Sequence, residues 1–118
     1  MIKAENKDFK SPDEVRTFEK GKMEILNIGD SVVGLAKFEP GWRWSLHVKP
    51  IAKTELCEVS HFFYQLSGRL HIVMENGEEF ETLPGQVSFL PPGHDAWVIG
   101  EEPVVVVDWS GAKNYAKE

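Results

Sequence analysis

The chain is poor in cysteine: Cys57 is the only one in 118 residues. No internal disulfide can form, and a reducing, cytoplasmic compartment is expected. It lacks any apolar run near the roughly 20 residues that a bilayer span requires. Its opening stretch, MIKAENKDFKSPDE, alternates charges where a secretory signal would need an apolar segment. No membrane partner is therefore expected. Positive charge is also scarce, with 13 Lys and Arg against 19 Asp and Glu and a net charge of −6. No basic run or basic-aromatic stripe offsets this balance, which disfavours nucleic acid as a partner. Long helices are missing too, because no segment after the first twenty residues keeps a 3.6-residue apolar period for three turns. There is no internal repeat, and the length suits one core rather than two.

What is present is a series of short β-rich runs separated by turn residues. Met23 to Ile28 and Ser31 to Phe38 read as strands around Gly29-Asp30, and Trp42 to Val48 reads as a third that ends near Pro50. Residues 51–60 read as a loop. Strands then follow over His61 to Leu66, Arg69 to Glu75, Glu79 to Leu83, Gln86 to Leu90, Ala96 to Ile99 and Pro103 to Trp109. Asn76-Gly77 is the strongest hairpin signal among their turns. Ser11-Pro12-Asp13-Glu14 has the form of a helix start, so one helical turn is expected there. The division is a polar segment over 1–22, a β domain over 23–110 and a fraying tail over 111–118.

The stretch from Gly41 to Val98 resembles the cupin superfamily. Gly85, five residues, then Pro91-Pro92-Gly93 matches the opening of the second cupin motif, G(x)5PxG(x)2H. Tyr64-Gln65-Leu66-Ser67-Gly68-Arg69-Leu70 resembles the turn that closes the first motif, G(x)5HxH(x)3–4E(x)6G. The resemblance implies an all-β jelly-roll, the double-stranded β-helix barrel, with a small-molecule and metal site in its mouth. The ligand positions depart from the family. His47 occupies the first histidine position but Lys49 the second, His61 stands where the glutamate is expected, and Ala96 takes the last histidine position with His94 two residues earlier.

Strand parity places Arg43, Ser45, His47 and Lys49 on one face of the third strand and Trp42, Trp44, Leu46 and Val48 on the other. Composition alone would turn the first set to solvent, whereas the cupin register turns it into the cavity. In that register Arg43 and Lys49 bind an anionic ligand beside Phe63 and Gln65 of the next strand. His47, His61 and His94 form a three-histidine set for one divalent transition metal, Zn, Fe, Mn, Ni or Cu. The alternative is a polar pocket whose histidines bind one another, water or a carboxylate. Asp95 either orients His94 or caps its turn. Glu55 and Cys57 lie in the inserted loop. A thiolate at Cys57 could complete a metal site or act beside His61, but a lone cysteine is more often a small buried hydrophobe. His71, Tyr64 and Trp97 are assigned to packing.

Three functions follow as expectations. One is a metal-dependent enzyme acting on a small anionic or oxygenated molecule, and another is a metal-free binding or sensing module. The third is a structural dimer whose cavity is filled by side chains. In the cupin register Trp42, Trp44 and Leu46 point outward, which predicts a homodimer that covers them.

Overall fold

The computed structural model describes residues 3–113 and 115–117. Met1 and Ile2 of the expected N-terminal segment and Asn114 and Glu118 of the expected tail lie outside the described residues. Among the described residues there are nine strands: β1 (Glu14–Phe18), β2 (Gly21–Ile28), β3 (Ser31–Phe38), β4 (His61–Ser67), β5 (Arg69–Met74), β6 (Glu79–Thr82), β7 (Val87–Leu90), β8 (His94–Ile99) and β9 (Val104–Asp108). They form a six-stranded sheet in the order β1-β2-β3-β9-β4-β7 and a three-stranded sheet in the order β6-β5-β8. Every strand pairing is antiparallel. The sheets do not close into a barrel, which corrects the closed jelly-roll expected from sequence.

Period-2 alternation sets the core. Met23 and Ile25 of β2, Ala36 and Phe38 of β3, Phe63 of β4, Ile72 of β5 and Val104 and Val106 of β9 all turn inward. The turn after β4 requires glycine, since Gly68 has φ +77 and a Cβ there would meet the Pro103 carbonyl oxygen at 2.6 Å. Gln65, inward on β4, donates to the carbonyls of Gly68 (2.8 Å) and Thr82 (3.1 Å) and accepts from the Thr82 hydroxyl. Its amide is consumed in joining the two sheets. Gln65 is therefore a structural link and not the ligand-orienting group expected.

Three local expectations are corrected. The segment around Glu14 is a strand, β1, paired along β2, not a helical turn. Residues 42–48 are not a strand. After an isolated bridge from Arg43 to Trp97, the chain turns into two short helices, α1 (Trp44–His47) and α2 (Lys49–Ala52). Proline in the first turn of α2 suits a helix start. Helical spacing puts Trp44 and Val48 on the same side, and both are buried. Leu46 falls on the opposite side and is 63% exposed, while Trp42 and Trp44 are 3% and 2% exposed. The outward Trp patch predicted from strand parity does not exist.

The tail is the third correction. Ala112 and Tyr115 are buried. Arg16 of β1 donates from its guanidinium to the carbonyls of Ala112 (2.8 Å), Tyr115 (2.8 Å) and Lys113 (3.1 Å). One cation thus satisfies three carbonyls at the end of a turn that would otherwise lack partners.

Candidate metal centre

The start of β4 meets the end of β9. In their antiparallel register Phe63 lies opposite Asp108, which sets the His61 and Asp108 side chains on one inward face. His61 Nδ1 and Asp108 Oδ2 are 2.5 Å apart. The other carboxylate oxygen accepts from the backbone N–H of Ser110 (3.0 Å) and Gly111 (3.0 Å). Asp108 is thereby fixed on both oxygens. The proton it holds on His61 Nδ1 leaves Nε2 facing the interior. Gly111 is obligatory at this corner, because a Cβ there would collide with the His61 ring.

The loop 53–60 brings in Cys57 as an edge residue against β8. Its N–H donates to the His94 carbonyl at 2.8 Å, and its own carbonyl accepts from Gly93 at 2.7 Å. This bridge positions Cys57 Sγ 3.6 Å from His61 Nε2. At the head of β8, His94 Nδ1 lies 2.9 Å from the Pro91 carbonyl. A carbonyl only accepts, so Nδ1 carries the proton and Nε2 is the free nitrogen. The His61 and His94 rings stand edge to face, with centroids 5.3 Å apart. Cys57, His61 and His94 each offer one donor atom, all within 4.8 Å of one another, and all three residues are buried.

The electrostatics match that convergence. Burial alone would raise the Cys57 thiol, but hydrogen bonds from His61 and His94 outweigh it and hold the group down at about 6. Burial would likewise lower His61, yet the hydrogen bonds and charges of Asp108 and Cys57 raise it to about 9. Burial opposes ionisation of Asp108 too, and its bond to His61 nonetheless keeps it below the ordinary carboxylate value. Both shifts run toward a buried thiolate–imidazolium pair backed by the Asp108 carboxylate.

Beside this cluster lies a cavity of about 40 Å³ whose wall includes Phe38, Trp42, Phe63, Ile72, His61 and His94. The Trp42 indole N–H is buried and has no acceptor, alone in this among the described residues. The Tyr115 ring stands 5.2 Å from that of His61 and walls the same cavity.

Of the residues expected from sequence, His61, His94 and Phe63 face this space and the others do not. His47 ends α1, where its Nδ1 accepts from the Arg43 backbone N–H at 3.0 Å and its Nε2 lies 3.9 Å from Glu19. It is outside the three-donor group because the helix turns it away from β4. Arg43 pairs with Asp95 at 3.3 Å and lies over the Trp97 ring, and Lys49 pairs with Glu55 at 2.9 Å. Neither cation lines the cavity, so the expected anion site is absent there. Asp95 does not orient His94. It accepts from the Ser45 N–H at the start of α1. Cys57, and not His47, is the third member of the donor group with His61 and His94. Asp108 carries no motif in the sequence beyond its place at the end of the apolar run Val104 to Val107.

At the level of sequence neither a known protein family nor any curated protein matches the chain. Solved structures do match in shape. A variant of Bacillus subtilis oxalate decarboxylase superimposes with a TM-score of 0.63 at 22% identity, covering 87% of this chain and 29% of that one. KdgF from a Halomonas species gives 0.56 at 18% identity, with 79% and 80% covered, and a cupin-like protein from Thermotoga maritima gives 0.53 at 16%, with 76% and 67% covered. The chain has a cupin fold. This cupin-fold chain spans less than a third of the decarboxylase. The likeness carries architecture and leaves chemistry to the residues in place.

Proposed function

We propose that the chain binds one divalent transition metal through Cys57, His61 and His94 and presents it to a small molecule in the adjoining cavity. The observation that carries this is the convergence of three buried donors, with a carboxylate fixing one and a carbonyl fixing another. Such outer partners are what metal-ligating histidines ordinarily have. A thiolate with two imidazoles favours Zn, Fe, Ni or Cu over Mn. Three protein donors leave coordination open, and a bound ion would supply a Lewis-acid centre there.

The residues around the centre restrict the ligand. The cavity is lined by apolar and aromatic side chains apart from the donor cluster and Asp108. One water needs about 10–15 Å³ of such space, so a ligand of only a few non-hydrogen atoms fits without rearrangement. Trp42 Nε1 offers an N–H to an acceptor on that ligand, which supports an oxygenated molecule. With Arg43 and Lys49 paired outside, nothing but the metal favours an anion. A metal-free binding or sensing module keeps the cavity and loses the reason for the thiolate. Cytoplasmic residence agrees with a single cysteine kept reduced as a ligand.

The test is metal analysis of the purified protein with Co²⁺ titration of the metal-free form. The expected result is one equivalent bound with thiolate-to-cobalt charge-transfer absorption, abolished in Cys57→Ser and His94→Ala. A folded wild-type protein that takes up no Zn²⁺, Fe²⁺, Ni²⁺, Cu²⁺ or Co²⁺ would overturn it.

A further inference from the structure

The two sheets treat their outer faces in opposite ways. On the three-stranded sheet, polar side chains at outward positions are partnered in place: Arg69 with Glu81 across β5 and β6 (2.8 Å), and His71 Nε2 with Glu79 (2.8 Å). Such a face belongs in water. On β9, β4 and β7 of the larger sheet every outward position is apolar or aromatic. These positions are Val105 and Val107; Phe62, Tyr64 and Leu66; and Val87 and Phe89, with Trp109 following β9. The registers Phe62↔Phe89 and Tyr64↔Val87, with Tyr64↔Val107 on the other side, make them one contiguous surface. Trp109 extends it, its ring 5.9 Å from that of Phe62. Phe89 is 65% exposed and Val87 58%, and Phe62, Leu66 and Trp109 are also exposed.

An antiparallel sheet with one solvated face normally places polar residues outward. Here the inward face of the same strands already carries the core and the Cys57–His61–His94 cluster, and the outward side chains pack against no other element of the chain's core. The five exposed side chains present on the order of 500 Å² of apolar area, at the upper end of what monomers show. Doubled across a two-fold axis, this reaches about 1,000 Å², the lower bound for a specific interface.

We propose that this face is the contact of a homodimer, in which a second copy packs the same face of β9, β4 and β7 against it. Three observations favour a second copy as occupant. The patch bears no charge on a chain of net charge −6, so it does not select a charged partner, and packing like on like brings no repulsion to its centre. It is a sheet face flanked by the free edge of β7, and two such faces pack aligned, as in a sandwich. Its area suits closure between two copies, in which each residue is buried once by its equivalent or a neighbour. This places the dimer contact on the opposite side of β4 from His61, well away from Trp42 and Trp44.

Sedimentation velocity on the wild-type chain at tens of micromolar is expected to give twice the 13.4 kDa chain mass. Phe89→Glu, an exposed edge substitution, should shift it to monomer, with an unchanged far-ultraviolet spectrum and unchanged metal uptake. Leu46→Glu, equally exposed but off the face, should leave the dimer intact. If Phe89→Glu fails to fold, Val87→Ser is read instead and should weaken dimerisation at least tenfold. A wild-type monomer at 100 micromolar overturns the proposal. So does a variant dimer as tight as wild type, and so does a Leu46→Glu monomer, since it would move the contact to α1.

Discussion

Asp108 and His61 lie 47 residues apart in the chain and 2.5 Å apart in the fold, and that pair decides which nitrogen of His61 is offered to the interior. A carboxylate that accepts from two backbone N–H groups as well cannot swing away to release the ring. Asp108→Asn keeps the shape and removes the charge. The expected result is a fold that survives, with metal affinity down about 10–100-fold in competition with a chelator. Unchanged affinity would mean that His61 needs no orienting partner.

The thiol of Cys57 supplies a pH test in the metal-free protein. Its value is depressed to about 6 from the ordinary 9, so thiolate absorbance should rise through a midpoint near pH 6. His61→Ala removes the stronger hydrogen bond and should move the midpoint up. A wild-type midpoint near 9 in the folded protein would contradict the assignment.

Metal binding should release protons. Between about pH 6 and 9 Cys57 is already a thiolate while His61 is protonated, its value having been raised to about 9. A metal needs the neutral imidazole, so His61 must give up its proton. Calorimetry at pH 8 in buffers of differing ionisation enthalpy should reveal this release, and apparent affinity should climb as pH approaches 9. Buffer-independent heats would exclude a protonated His61.

Acid stability has its sign fixed by Asp108. Its folded value lies below the ordinary 3.8, so its stabilisation is complete above that pH and is lost as pH falls through the depressed value. Wild-type protein should therefore lose stability below about pH 4 more steeply than Asp108→Asn, as read from chemical denaturation at each pH. Parallel losses would show that the pair contributes nothing.

Arg16 holds the C-terminal turn that carries Tyr115. Replacing it by Ala removes three charge-assisted hydrogen bonds and should cost about 2 kcal/mol or more. It should also speed alkylation of Cys57 in the metal-free protein at least tenfold, as Tyr115→Ala should by removing the wall itself. Equal alkylation rates in wild type and both variants would show that Cys57 is reached from elsewhere.

The strands from Met23 to Phe38 and from His61 to Trp109 could be read from sequence because their information is local. Alternation selects the buried face, and Gly29-Asp30 and Asn76-Gly77 mark the reversals. The segment 42–48 misled because apolar residues at 42, 44, 46 and 48 fit a period of two. Only burial separates Trp44 and Val48, one helical turn apart, from exposed Leu46. That error carried His47, Arg43 and Lys49 into a cavity they do not line. Two of the three donors, His61 and His94, were legible as histidines on strands. Cys57 was legible only as one of two alternatives, since its place depends on a backbone bridge to His94, 37 positions away, which no local pattern encodes. Asp108 was hidden for the same reason, its partner lying across a sheet pairing.

The grip of Arg16 on the carbonyls of Ala112, Lys113 and Tyr115 also has a mechanical side. A purification tag or reporter attached after residue 118 begins four positions beyond an aromatic ring that stands against His61 and bounds the cavity. Tension or crowding at that junction is transmitted to the ring directly, with the guanidinium as the anchor that must yield first. Reporter fusions at this end would therefore perturb metal and ligand measurements.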